Sequence, residues 1–170
     1  MAAFLKKIAL FGIFAAVFYL LAVIVWGSTL SRFFPSNVNY RFGKAGHTLT
    51  RFQEVKSQKD LDILFVGSSH AYRTFDTRIY STIGLNTFNL GSSAQSPMQT
   101  EVLLKRYLLQ LNPKTVVFEV SPIIMDLDGV EAATDLISND KFDVHALQMV
   151  VDMGHIKPIN TAIFAQYRQC

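Results

Sequence analysis

Three short apolar runs of this sequence end at Gly or Ser. The runs, each with the residues that end it, are 63–66 with Gly67-Ser68-Ser69-His70, 86–90 with Gly91-Ser92-Ser93, and 115–120 with Ser121-Pro122. A serine hydroxyl becomes a good nucleophile when a base takes its proton, and the base in turn must be oriented by a carboxylate. Serines beside backbone N–H groups at such turns are typical of acyl-transfer sites. The pattern therefore indicates nucleophilic chemistry.

The elements around these serines place them at one edge of a sheet. Short apolar runs bounded by Gly, Ser and Pro predict buried parallel strands. Between the runs, Asp76 can cap a helix over 77–83, and the capping box that begins at Ser96 opens a helix to about Leu111. The order β-α-β-α-β predicts an α/β fold with a parallel sheet. Its chemistry is expected just past the carboxyl ends of the strands.

Beyond residue 122 the pattern weakens. Residues 142–153 are predicted to be helical, residues 161–167 are ambiguous, and no fourth or fifth strand is indicated. We therefore expect a domain that is incomplete compared with a full doubly wound fold.

An uninterrupted apolar run at residues 8–26 precedes this domain, and it is close to the ~20 residues that a spanning helix needs. Lys6 and Lys7 come before it and Trp26 ends it. The run is longer than a signal-peptide core and its end is a poor cleavage site, so we favour an uncleaved anchor over a cleaved signal. The short basic N-terminus predicts a cytoplasmic N-terminus and an extracytoplasmic domain, periplasmic in a bacterium.

The sequence divides into three parts: an N-terminal stub and transmembrane anchor (1–27), a connector (28–60) and the α/β domain (61–170). Turn-forming residues mark the connector, among them 43–46, and residues 51–59 are a candidate helix. Half of the residues are hydrophobic and 17% are charged, which excludes disorder. The net charge of +3 is scattered, so no nucleic acid is expected as a partner. Cys170 is the only cysteine, which excludes an internal disulfide and a cysteine-based zinc cluster.

Residues 61–122 resemble the SGNH (GDSL-type) hydrolase superfamily, and within it the membrane-anchored branches that have Gly-Ser-Ser in place of Gly-Asp-Ser. Gly67-Ser68-Ser69 is similar to the first block of that family, and Asn89-Leu90-Gly91 is similar to the second. The resemblance implies a three-layer, flavodoxin-like parallel-sheet fold. It also implies that Ser69 is the nucleophile and that the backbone N–H of Gly91 belongs to the oxyanion hole.

The remaining blocks of the family leave alternatives open. Where the third block has Gly-x-Asn-Asp, this sequence has Glu119-Val120-Ser121-Pro122, so Glu119 or Ser121 takes the place of the asparagine, or the third donor comes from elsewhere. With His70, these two are candidate substrate contacts, and Glu119 is alternatively a structural ion-pair partner. The last block, Asp-x-x-His, is matched by residues 152–155, which implies catalytic roles for Asp152 and His155.

The alternative for the last block is that the true Asp-x-x-His lies beyond residue 170 in a longer chain. Because residues 152–155 follow a predicted helix after only three strands, we expect His155 to lie well away from Ser69.

By resemblance, the chain is an ester hydrolase or O-acyltransferase that acts on an acylated cell-envelope glycan or lipid. Its expected partners are the lipid bilayer and this substrate, and no metal or organic cofactor is implied. A second hypothesis is a non-catalytic binding or scaffold component of envelope-modification machinery. A third is an anion site formed by Gly and Ser residues at the strand ends.

Overall fold

A computed structural model describes residues 1–44 and 47–169 of the chain. Part of the predicted 43–46 turn (Ala45 and Gly46) and Cys170 lie outside the described residues. Helix α1 (Ala2–Val25) continues into a π-helical turn, Trp26–Leu30. The whole segment Ala2–Leu30 is long and apolar enough to cross a membrane. Apart from Val23 and Gly27 near its end, it contributes almost nothing to the interior of the fold.

The domain is α/β, as predicted, with a three-stranded parallel sheet. The strands are β1 (Ile63–Val66), β2 (Thr87–Asn89) and β3 (Thr115–Phe118), arranged in the order β2-β1-β3. Ile63 of β1 is in register with Thr87 of β2 and Thr115 of β3. Each strand lies within the apolar run that predicted it, and β2 and β3 end one and two residues earlier than expected. Among the described residues there is no further strand.

Helices cover both faces of the central strand. Leu64 and Val66 point into the main core, which contains side chains of α5 (Pro97–Leu111), α7 (Val130–Asn139), α8 (Val144–Met153) and α9 (Ile156–Gln169). Phe65 points to the other face, where it stacks on Phe75 at 4.5 Å between ring centroids. This face is covered by α3 (Ser69–Thr74) and α4 (Thr77–Thr82). The layers on β1 are therefore helix, sheet and helix.

Strand β3 is the less protected edge of the sheet. Val116 and Phe118 are about 40% exposed, and in the short helix α6 (Pro122–Met125) that follows, Ile123 and Met125 are exposed as well. By contrast, Leu64 and Val66 of β1 are fully buried. The sheet is thus covered well at β1 and β2 and poorly at β3.

The connector packs into the domain. Its helix, α2 (Thr48–Glu54), is followed by a 3₁₀ turn, Val55–Ser57, and together they begin earlier and end earlier than the predicted 51–59 helix. Phe52 and Val55 lie in the main core. Thr48 donates to the buried Asp135 of α7 at 2.7 Å. These contacts hold α2 beside the sheet, where it borders the strand ends.

Helix α9 joins the domain to the end of α1. The Phe164 ring lies against Gly27, where an added Cβ would overlap it, and packs with Val23 and Val38 in a small second core. Tyr19 donates to Asn160 Oδ1 at 2.5 Å. The ambiguous residues 161–167 therefore lie within a helix, and that helix fastens the domain to the apolar segment.

Candidate functional site

The first Gly-Ser-Ser turn (residues 67–69) follows β1 and closes on a carboxylate from β3. Gly67 has a φ of +137°, which side-chain-bearing residues rarely adopt. An added Cβ there would lie 2.8 Å from the Cβ of Glu119. Glycine at position 67 therefore permits both the turn and the close approach of Glu119, which comes just after β3.

Ser68 is the most constrained residue of this turn. Its backbone N–H and its hydroxyl both donate to Glu119 Oε2, at 2.8 and 2.7 Å. Its Oγ accepts from the backbone N–H of His70, which makes Ser68 the N-cap of α3. The residue is 1% exposed. Ser68 therefore braces the turn and does not present its hydroxyl to solvent.

The His70 imidazole sits over this pair. Its Nδ1 is 3.1 Å from Ser68 Oγ and 3.8 Å from Glu119 Oε1, and its side chain is 63% exposed. Because the Ser68 hydrogen is given to Glu119, the tautomer that donates from Nδ1 suits this contact. In that tautomer Nε2 carries a free lone pair. A carboxylate, a hydroxyl and an imidazole are thus joined at the end of the sheet, with the base facing solvent.

Ser69, the predicted nucleophile, is half-buried at the first position of α3. Within the described residues its hydroxyl has no hydrogen-bond partner. It is therefore neither locked like Ser68 nor paired with an imidazole. The structure brings Ser69 and His70 to the same turn as Glu119, and Glu119 contacts Ser68 rather than Ser69.

Gly91 lies directly beside the first turn, as expected for neighbouring parallel strands. An added Cβ would come within 3.1 Å of the Gly67 carbonyl and 3.0 Å of the Ala71 Cβ. The N–H of Gly91 donates to Asn89 Oδ1 at 2.9 Å. An oxyanion role for Gly91 therefore requires the Asn89 side chain to release this N–H. The φ of Gly91 is not positive, so close packing is the reason for glycine here.

The other sequence-predicted residues are not joined to this cluster. Ser121 precedes α6 and makes no side-chain capping bond. Asp152 accepts from Gln148 at 2.7 Å, and His155 Nδ1 accepts from the backbone N–H of Lys157 at 3.2 Å. Both side chains are exposed at the junction of α8 and α9. In the described part of the chain neither contacts Ser69 or the other.

A second group of polar residues, not predicted from the sequence, surrounds the second Gly-Ser-Ser turn (residues 91–93). Arg51 of α2 donates to the Asn89 carbonyl, and its guanidinium lies 5.7 Å from the centre of the Phe88 ring. Burial lowers the pKa of Arg51 from its ordinary value, and the charge of Glu54 partly offsets this effect. Tyr72 OH is 3.2 Å from Ser93 Oγ. Arg51 lies in the connector, so the strand and helix patterns of the α/β domain could not indicate it.

The site shows no arrangement typical of a metal centre. The described residues contain no group of three His, Cys, Asp or Glu side chains that could hold an ion.

Comparison of the chain with protein-family models, with curated proteins and with solved structures finds no match.

Proposed function

We propose that this chain is a membrane-anchored, extracytoplasmic, SGNH-like serine ester hydrolase or O-acyltransferase that acts on a cell-envelope glycan or lipid. The observation that carries the proposal is the first Gly-Ser-Ser turn, where His70 and Glu119 are joined through Ser68 beside the hydroxyl of Ser69, which has no hydrogen-bond partner within the described residues. A turn of this kind at the carboxyl edge of a parallel sheet is where α/β enzymes place their reacting groups.

In the proposed reaction, Ser69 Oγ attacks the ester carbonyl while a base takes its proton. His70 Nε2 is the proposed base, because Ser68 and Glu119 hold the opposite side of the ring; it has to approach Ser69 Oγ, to which it makes no hydrogen bond within the described residues. The tetrahedral intermediate then expels the alcohol, which leaves with the proton from His70, and an acyl ester remains on Ser69. Water yields the free acid, whereas an acceptor hydroxyl yields a new ester.

A second candidate function, a non-catalytic binding or scaffold component, is favoured by one observation. The N–H of Gly91 is already bonded to Asn89, so the described structure does not show it available to a developing oxyanion. Losing one such donor typically costs on the order of 3 kcal/mol of transition-state stabilisation. If Asn89 does not release Gly91, the turn serves only to bind.

A fluorophosphonate probe separates the two candidates, because only an activated serine reacts with it. We expect the full chain in detergent micelles to be labelled and Ser69→Ala to abolish the labelling. Ser81→Ala is the matched control, since Ser81 is an exposed serine of α4 away from the turns. Labelling that survives Ser69→Ala, or no labelling at all, would favour the binding function. Loss in His155→Ala but not in His70→Ala would assign the base to His155.

The proposed topology is tested separately. The test fuses to the end of residue 170 a reporter that works only outside the cytoplasm. We expect this reporter to be active. The proposal rests on a short basic N-terminus before a long domain, since Arg32, Arg41 and Lys44 after the apolar run leave the count of basic residues undecided. A reporter that is active only in the cytoplasm would contradict it.

A further inference from the structure

A polar cleft with an excess of positive charge opens beside the second Gly-Ser-Ser turn. It forms a cavity of about 400 Å³ whose lining includes Arg51, Arg73 and Arg78, with Asp76 as its single carboxylate. Asp76 is engaged by Arg78, with Nη2 2.6 Å from Oδ2. Hydrogen bonds from Arg78 hold the pKa of Asp76 at about 2, so this ion pair persists at neutral pH. Two guanidinium groups, those of Arg51 and Arg73, are left to set the charge of the cleft.

Arg51 is the more buried of these two arginines. Its side chain is partly buried, and among the described residues no carboxylate forms an ion pair with it. One of its N–H groups is used by the Asn89 carbonyl. A guanidinium carries five N–H donors, so donors remain for a ligand. Burial of this charge is costly and the charge of Glu54 offsets that cost only in part, so an anion in the cleft would lower it further.

Other donors surround the same cleft. Arg73 of α3 also lines the cavity, and its guanidinium lies 5.7 Å from the centre of the Tyr72 ring. Tyr72 and His47 line both this cavity and a smaller one that reaches Ser93. Tyr72 and Ser93 share one hydrogen bond between them, in which either oxygen can be the donor. The second hydroxyl hydrogen of that pair is therefore available to an acceptor.

We propose that this cleft binds a phosphate group, with Arg51 as its principal ligand and Arg73, Tyr72 and Ser93 as supporting donors. Guanidinium groups bind phosphate oxygens in pairs of parallel hydrogen bonds. Phosphate also has enough oxygens to accept from two arginines together with a hydroxyl. The phosphate belongs either to a membrane lipid or to a soluble molecule. Binding does not depend on the proposed ester chemistry. If that chemistry is correct, the inference adds that its substrate carries phosphate.

The test measures binding in the absence of turnover. In the first arm, inorganic phosphate is titrated into the full chain in a neutral detergent, against chloride at equal ionic strength, and the line width of the phosphate ³¹P resonance is followed. In the second arm, the chain is reconstituted in phosphatidylcholine vesicles with or without phosphatidic acid, and its thermal midpoint is measured. A soluble source predicts binding in the first arm. A lipid source predicts a higher midpoint with phosphatidic acid in the second.

In whichever arm binding occurs, we expect Arg51→Gln to weaken it by at least tenfold, about 1.4 kcal/mol. Arg73→Gln, on an exposed side chain whose loss should not disturb folding, is expected to weaken it roughly threefold, somewhat less than 1 kcal/mol. Arg168→Gln, an exposed arginine in the last turn of α9, is the control and should change nothing. The proposal is overturned if neither arm shows binding, if both cleft variants bind like the unaltered chain, or if Arg168→Gln weakens binding equally.

Discussion

The two Gly-Ser-Ser turns have the same three residues at the ends of adjacent strands, yet they are built differently. The first is braced by a carboxylate from another strand, since Glu119 accepts two hydrogen bonds from Ser68. The second is braced by its own strand, since Asn89 accepts the N–H of Gly91. The first turn needs glycine for its backbone angle, whereas the second needs it for space.

The charged and titratable side chains around the two turns differ as well. Glu119 and the imidazole of His70 border the first turn, and Arg51 borders the second. A short motif therefore specifies the shape of a strand end, while residues distant in sequence specify what it can bind or activate. The two turns touch, because the N–H of Ser92 donates to the Gly67 carbonyl at 3.1 Å. The proposed chemistry and the proposed phosphate site are thus neighbours with separate supports.

The largest effect that should distinguish the turns is on stability. We expect Gly67→Ala to lower the free energy of unfolding by about 3–4 kcal/mol, because it combines a disfavoured φ with overlap on Glu119. Gly91→Ala should cost only about 1–2 kcal/mol, because it tightens contacts without backbone strain. Denaturant unfolding of the full chain in micelles measures both. Equal losses would show that the turns do not differ as described.

The brace of the second turn gives the next effect. Asn89 Nδ2 donates to the carbonyls of Ala71 and Phe75, so this buried amide also ties β2 to α3. We expect Asn89→Ala to lower the free energy of unfolding by about 2–3 kcal/mol, because buried backbone groups lose their partners. The exposed Asn86 is the matched control, and Asn86→Ala should cost less than about 1 kcal/mol.

The separation of the two sites can be tested with a pair of variants. Glu119→Gln removes the charge beside His70 and Ser68, so we expect fluorophosphonate labelling to slow by about tenfold and stability to fall by about 1–2 kcal/mol. Arg51-dependent phosphate binding should persist in this variant. Arg51→Gln should show the reverse pattern, with phosphate binding lost and labelling retained. Loss of both properties in both variants would mean one site instead of two.

The smallest effect is the loss of stability at low pH that comes from the Asp76–Arg78 ion pair of the cleft. Because Arg78 lowers the pKa of Asp76 to about 2, the stability that this ion pair contributes is present above the unfolded pKa of Asp, near 4, and disappears as the pH falls towards 2. Asp76→Asn keeps a good N-cap but removes the charge. Its thermal midpoint should lie below that of the unaltered chain at pH 6 and converge with it near pH 2. A constant difference over this range would contradict the assignment.

The strands and the helices next to them could be predicted from the sequence, because their signals are local. The capping box at Ser96 is formed as expected, and Asp76 and the apolar runs have the predicted roles. Helix α7 is missing from the predicted elements, although Val130, Ala133 and Ile137 have helical spacing, because polar residues lie between them. Its buried residues include Thr134, Asp135 and Ser138, which are matched by hydrogen bonds from the connector rather than by apolar packing. Such pairings join residues about 90 positions apart and leave no periodic pattern.

The candidate site, like the fold, could be predicted where its signals are local and not where it depends on long-range contacts. The strand ends indicated the Gly67 and Gly91 turns, because parallel strands must bring them to one edge. Which serine is buried depends on Glu119, and this is decided by the sheet order β2-β1-β3, which places β3 beside β1. The arginine cleft depends on how α2 folds back onto β2, and no spacing in the sequence reports that contact.

The packing of Phe164 on Gly27, with the bond between Tyr19 and Asn160, has a mechanical consequence. A domain on a flexible linker samples many heights above a bilayer, whereas these contacts fix the domain to the apolar segment. With α1 in a membrane, the strand-end edge would be held at one height and in one orientation relative to the lipid surface. Under the proposed function, the height of the site above the bilayer would then limit which substrates are accepted, since a molecule has to present its reactive group at that level.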